Sequence, residues 1–143
     1  MAETVTIAAA IVLDAAGRML VVRKRGTTAF MQPGGKIEPG EAPAAALARE
    51  LREEVQLAAG EPVALGVFSA PAANEPGTTV VAHAFAVTAS EAPRIAAEIE
   101  EAAWVDPLAP GEISLAPLTR DHMLALAQSL RSRAVQDASG ALR

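Results

Sequence analysis

The 143-residue chain has no cysteine and no tyrosine. The first absence excludes disulfides and thiolate metal sites. The second leaves Phe30, Phe68, Phe85 and Trp104 as the only aromatic side chains. A base stacked between two rings is therefore hard to build, although one ring backed by aliphatic groups would suffice. No uncharged apolar run approaches the roughly 18 residues of a membrane-spanning helix, and the amino terminus lacks both a basic start and a cleavage site. A soluble, cytoplasmic protein with no membrane partner is the expectation. Positive charge is also scarce: 12 Lys and Arg stand against 17 Asp and Glu, a net charge of −5. That balance argues against binding nucleic acid polymers. It does not argue against small phosphorylated ligands, because a bound cation can bridge an acidic protein to an anionic substrate.

What is present fits one domain, residues 1–133, with a polar, weakly patterned tail over 134–143 expected to fray. The hydrophobic fraction of 51% includes much alanine, so the core gains less per residue than that figure suggests. No internal repeat or low-complexity linker marks a second domain.

The chain is organised around residues Gly35 to Leu57, GKIEPGEAPAAALARELREEVQL. Pro33-Gly34-Gly35 and Pro39-Gly40 read as turn dipeptides that stop a strand and let backbone approach a ligand closely. Pro43 suits the first turn of a helix, and strong helix formers follow from Ala44. At 3.6 residues per turn, Leu47, Leu51 and Val55 stack on one face. Glu50, Glu53 and Glu54, spaced by three and four, share a neighbouring face. Like charges so placed repel and raise one another's pKa. A divalent cation reverses both effects, and hard oxygen donors favour magnesium or manganese. The alternative is a solvated charged face in which Arg49 and Arg52 neutralise the acids.

The spacing decides between them. Gly35, five residues, Glu41, seven residues, then Arg49-Glu50-Leu51-Arg52-Glu53-Glu54 closely resembles the Nudix box, Gly-x5-Glu-x7-Arg-Glu-U-x-Glu-Glu-x-Gly-U, where U is aliphatic. Eight of its nine specified positions match. The six polar or glycine matches alone would coincide by chance on the order of once in ten million. The departure is Gln56, where the box has glycine. A glycine there suits a left-handed residue closing the helix, and a non-glycine in that conformation costs roughly 1 kcal/mol. Gln56 implies either that local cost or a helix extended by a turn.

The resemblance implies the α/β/α sandwich of the Nudix fold, a mixed sheet between helices. It also implies hydrolysis of a nucleoside diphosphate linked to another moiety by water attack at phosphorus, with divalent cations as cofactor. On that resemblance Glu50 and Glu54 are the leading metal ligands, Glu53 joins them, and the Gly34 carbonyl completes the shell. Arg49 and Glu41 match positions that hold the loop against the helix and orient the ligands. Lys36 is placed to meet phosphate. The general base is either a box glutamate, Glu53, or an acid from a later loop. Glu98, six residues before Trp104, is the loop candidate and a further metal ligand, with Glu101 next. Length and layout resemble the small nucleoside-triphosphate pyrophosphohydrolases; a nucleotide-sensing module of the same fold that binds without cutting is the alternative. Such modules typically lose box acids, and all are present here. A homodimer is compatible with these features.

Around the box, Thr4 to Leu13 reads as a strand, Asp14 to Arg18 as a hairpin connection, and Met19 to Arg25 as the returning strand. On that strand Arg23 and Arg25 point to one face and Lys24 to the other; the Arg23 and Arg25 side is a candidate for substrate phosphate. Ala29 to Gln32 reads as a short strand with Phe30 and Gln32 on one face, both candidates to contact substrate. Pro62 to Ala70 and Thr78 to Thr88 read as strands, with His83 a core or groove residue on the second. Ser90 to Glu101 is polar and acidic, and Trp104-Val105 looks like a short strand stopped by Pro107. Pro117 to Arg133 reads as a closing helix with Leu118, His122, Leu126 and Leu130 or Met123 inward.

Overall fold

The computed structural model describes residues 3–73 and 75–131. A strand buried on both faces must be apolar throughout rather than alternating, and residues Ala8, Ala9, Ala10, Ile11 and Val12 are all 0% exposed. They belong to β1 (Glu3–Leu13), the centre of the fold. β1 runs parallel to β5 (Thr78–Thr88) along its whole length, and β4 (Val63–Pro71) lies antiparallel outside β5. On the other side β2 (Met19–Lys24) returns from β1 through the Asp14–Arg18 turn, and β6 (Ile99–Val105) lies antiparallel outside β2. The order is β4-β5-β1-β2-β6, with β3 (Gly34–Lys36) pairing antiparallel with the middle of β1, Ile7 to Ala9.

The period-two alternation of strands divides the core. Ala8, Ala10, Val12, Leu20 and Val22 face α1 (Pro43–Val55) together with Leu47, Leu51 and Val55. Ala9, Ile11, Met19 and Val21 face α2, residues 117–131, together with Leu118, Met123 and Ala127. This is the expected sandwich: a mixed sheet between two helices.

Several local expectations need correction. Gly34 and Gly35 form strand rather than turn. Gly34 sits at φ 144, and a Cβ on it would collide with the Ala8 carbonyl oxygen, so only glycine lets β3 lie this close to β1. Residues 29–32 make two isolated bridges, Val22 with Met31 and Phe30 with Leu115, instead of a strand. The strand around Trp104 begins earlier, at Ile99, so Glu100 and Glu101 lie on β6 rather than in a loop. An edge strand tolerates such charges on its open side, and Arg23 pairs with Glu101 at 2.6 Å. In α2, a π-turn at Thr119–Met123 adds a residue to one turn, so the inner stripe is Leu118, Met123 and Ala127. Leu126 and Leu130, half-buried, pack against the same core as expected, and His122, also half-buried, lies beside the Phe68 ring. The expectations for Ser132, Arg133 and the tail lie outside the described residues.

At the end of α1, Gln56 takes the left-handed conformation, φ 55, and its N–H and that of Leu57 both reach the Leu51 carbonyl. Of the two possibilities for Gln56, the strained cap is what forms; the helix is not extended.

Candidate active site

The apolar stripe of α1 sets where its acids point. Leu47, Leu51 and Val55 are each 0% exposed, which fixes the helix's rotation on the sheet and turns Glu54 inward. Glu54 is 2% exposed. Its Oε1 accepts the Gly34 N–H at 3.0 Å, and its Oε2 is buried with no hydrogen-bond partner among the described residues. Burial, first of all, pushes its pKa from 4.5 up to about 7; the Glu50 and Glu98 carboxylates add to the rise, while the Gly34 N–H and Lys24 oppose it. A buried carboxylate oxygen with no partner is costly unless neutralised or paired.

The other two box acids lie progressively further out. Glu50 is pressed against Gly35, where a Cβ would stand 2.6 Å from both of its carboxylate oxygens. Here glycine is needed for space rather than for its dihedral. Glu53 is the outermost, with its side chain 55% exposed. Alternation along the β3–β1 ladder turns both the N–H and the carbonyl of Gly34 away from β1, and that N–H is the one that reaches Glu54.

Arg49 ties the loop to the helix. Its guanidinium donates to both Glu41 oxygens at 2.9 Å, to the Lys36 carbonyl at 3.0 Å and to Glu50 at 2.8 Å, and it stands 3.7 Å from Glu53. The two-point bond from Arg49, aided by the Glu38 N–H, holds Glu41 down to about 2. Glu41 and Glu50 in turn push Arg49 above its ordinary value. This forked geometry, with two parallel donors on one carboxylate, is one that arginine provides and lysine does not.

Among the described residues, no three acidic or histidine side chains converge closely enough to chelate an ion as they stand. Glu50 and Glu53 are instead engaged by Arg49, at 2.8 Å and 3.7 Å. The donor chemistry nevertheless fits a hard divalent cation: α1 carries three carboxylates within five residues, and one of their oxygens, Glu54 Oε2, is buried and lacks a partner among the described residues. A cation there would supply the missing partner and remove the penalty on the charged form.

Glu98 reaches the same side of the sheet. The segment before it docks on the end of α1, with the Arg94 N–H on the Val55 carbonyl at 2.8 Å and the Ala96 N–H on the Glu54 carbonyl at 2.9 Å. The Glu98 carboxylate lies 3.2 Å from Lys24 Nζ and is 60% exposed. Glu101 is instead engaged by Arg23 on the opposite face of β2.

A cavity of about 350 Å³ opens beside β3. Val5, Ile7 and Val80 give it apolar walls, and Lys24, Gln32 and Lys36 polar ones, with Gly34 and Gly35 at its edge. Gln32 is 4% exposed, and its Oε1 accepts the Thr119 hydroxyl at 2.6 Å. The structure thus brings Gln32 and Lys36 to one cavity, but not Arg23, Arg25 or Phe30. Arg23 lies 6.0 Å over the Phe30 ring on the α2 side, and Arg25 is exposed beyond the end of β2. Sequence reasoning passed over Lys24 as a site residue. The signal was available: Leu20, Val22 and Lys24 share a face, and the first two pack against α1.

Comparison with known proteins agrees with this geometry. The sequence profile of the NUDIX domain matches residues 3–126. The chain belongs to the Nudix family. No curated protein sequence matches it significantly. Among solved structures, this Nudix chain is similar to the ORF135 protein of E. coli, with 26% identity and a TM-score of 0.72 over 92% of this chain and 94% of that one. It is similar to a MutT NUDIX hydrolase from Burkholderia pseudomallei, with 23% identity and a TM-score of 0.68 over 87% and 95% of the two chains. A MutT protein from Methanosarcina mazei Go1 shares the fold with a TM-score of 0.74 at 20% identity, over 90% and 95% of the two chains. The chain is an enzyme of the Nudix hydrolase class, and such hydrolases act on small phosphorylated substrates with divalent metal ions. Among its described residues no helix is long and apolar enough to cross a membrane.

Proposed function

We propose that this Nudix protein is a magnesium-dependent pyrophosphohydrolase, with manganese able to substitute. Its substrate is a nucleoside triphosphate or a related nucleotide in which a diphosphate links the nucleoside to another moiety, and it works in the cytoplasm. The observation that carries this reading is the buried, unpartnered Glu54 oxygen, bonded through its twin to a glycine that edges a cavity walled by Lys24, Lys36 and apolar side chains.

Glu50, Glu53 and Glu54, with the Gly34 carbonyl, would hold the cation. When bound, it supplies charge neutralisation at the diphosphate and a more acidic water. Arg49 and Glu41 keep loop and helix in register, so that the carboxylates need little reorganisation on binding. Lys24 and Lys36 bind phosphate oxygens as point charges. The apolar walls accept the flat base. Gln32, its amide held by Thr119, offers a hydrogen bond to the base edge; Phe30 supports that wall from the α2 side. Glu98 takes the proton from the attacking water at its carboxylate, and Lys24 holds that carboxylate close to Glu54. Glu53 is the box alternative for the same step.

A panel of nucleoside triphosphates, dinucleoside polyphosphates, ADP-ribose and sugar nucleotides tests this, with product release followed with and without magnesium. Magnesium-dependent cleavage of triphosphates between phosphates is the expected result. Binding of a nucleotide without cleavage of any panel member would overturn it.

A further inference from the structure

The only two non-glycine residues with positive φ among the described residues are Gln56, at φ 55, and Ala97, at φ 53. They are 41 positions apart in sequence, yet both sit at one joint. Gln56 closes α1, and its side-chain Nε2 donates to the Arg94 carbonyl at 3.4 Å. Ala97 lies between Ala96, whose N–H is on the Glu54 carbonyl at 2.9 Å, and Glu98. The Glu98 carbonyl then accepts the Arg25 N–H at 2.8 Å, and its carboxylate pairs with Lys24. Strain at left-handed residues persists where the surroundings over-determine the backbone, and such places cluster at functional sites. Gln56 also occupies the position where the Nudix box has a glycine that would carry no strain and no side chain.

We propose that Gln56 is a positioning residue for Glu98. Its amide clamps residues 94–98 onto the carbonyl end of α1, so that the same helix that buries Glu54 also sets the place of Glu98. Glutamine accepts the left-handed strain at this cap because its side chain supplies the donor that glycine lacks. The inference rests on the reading of Glu98 as the base.

The substitution that separates this role from a structural one is Gln56→Gly. A structural cap residue replaced by the glycine its dihedral favours gives a protein at least as stable and no less active. The proposal expects the midpoint of thermal unfolding to hold or rise. It expects kcat with a cleaved nucleoside triphosphate and saturating magnesium to fall roughly two- to threefold at unchanged KM, the lower end of a neutral hydrogen bond's worth, since this contact is long and exposed. Amide exchange at Arg94 and Ala96 should quicken by a similar factor in the metal-free protein. Gln56→Asn, which tolerates the left-handed conformation but is too short to reach Arg94, should behave as the glycine does. In a Glu98→Gln background, Gln56→Gly should produce no further fall in kcat. Unchanged kcat and exchange in Gln56→Gly would overturn the proposal, as would an equal fall in both backgrounds. Wild-type turnover in Glu98→Gln would overturn it by removing the acid from the reaction, and the exchange data would then show the clamp to be structural.

Discussion

The two faces of the central sheet are built from the same strands and do different things. On the α1 face, Ala8, Ala10, Leu20 and Val22 pack a regular helix, and the alternation that places them also delivers Lys24 to Glu98, where its charge is felt by Glu54. On the α2 face, Ala9, Ile11, Met19 and Val21 pack a helix with a π-turn, and the same alternation delivers Arg23 to Phe30 and Glu101. One face is held close around an unsatisfied carboxylate; on the other, the buried polar groups Gln32 and Thr119 satisfy each other. The contrast locates the metal chemistry: the buried carboxylate oxygen left short of a partner lies on the α1 side, where a cation would complete it, while the cavity beside it borrows Ile7, Val80 and Gln32 from the α2 side.

The largest effect expected on this contrast is from Glu54→Gln. It keeps the shape and removes the buried charge. Turnover with magnesium should drop by orders of magnitude while the metal-free protein melts no lower than wild type. Near-normal turnover would move the ligand assignment to another acid.

Next in size are the two cores. Leu51→Ala on the α1 face and Met123→Ala on the α2 face, both at 0% exposure, should each cost roughly 2–5 kcal/mol by denaturant unfolding. Molecules that remain folded should keep most of their turnover. A cost below about 1 kcal/mol at either site would mean that its face is not packed as described.

The pH response sharpens the difference further. Glu54 titrates near 7 in the folded protein against 4.5 ordinarily, so between those values the folded chain binds more protons than the unfolded one. Stability of the metal-free protein should therefore fall as pH rises across that window, by about 3 kcal/mol in all. This contribution should be absent in Glu54→Gln. Saturating magnesium should oppose it, raising stability by about 2.7 kcal/mol at a hundred times its dissociation constant. Melts at matched ionic strength that show no magnesium effect at any pH would count against the metal site.

The smallest difference is between neighbours on β2. Lys24→Ala should raise KM for a nucleotide substrate and lower kcat through the loss of its contact with Glu98. Arg23→Ala should leave both near wild type and cost about 1 kcal/mol or less, since its ion pairs are largely exposed on the acid side. Steady-state kinetics and unfolding of the two variants check this, and an inverted order would place phosphate on the α2 face.

The box, the helix and its rotation were legible in the residues alone. Glycines, acids and a leucine stripe at fixed spacing act locally, over single turns and loops, where geometry follows from the peptide unit. The αL cap at Gln56 was one of two local solutions, and the Leu51 carbonyl receiving two N–H groups chose between them. Tertiary structure alone decided the rest. Gly34 and Gly35 read as a turn, but become strand because β1 lies close enough to pair with them. Glu54 read with Glu50 as one of two leading ligands, and nothing local set it apart as the buried one; it is buried where β3 meets α1, its Oε1 on the Gly34 N–H. Lys24 and Arg23 were separated by alternation in the sequence, but which of them meets the acids depended on which face α1 covers. Glu98 sat in a stretch without pattern, and its place is set by main-chain bonds to carbonyls of a helix some forty residues away in the chain. Contacts of that range leave no period in a sequence, because each partner satisfies its own local rules whether or not the other arrives.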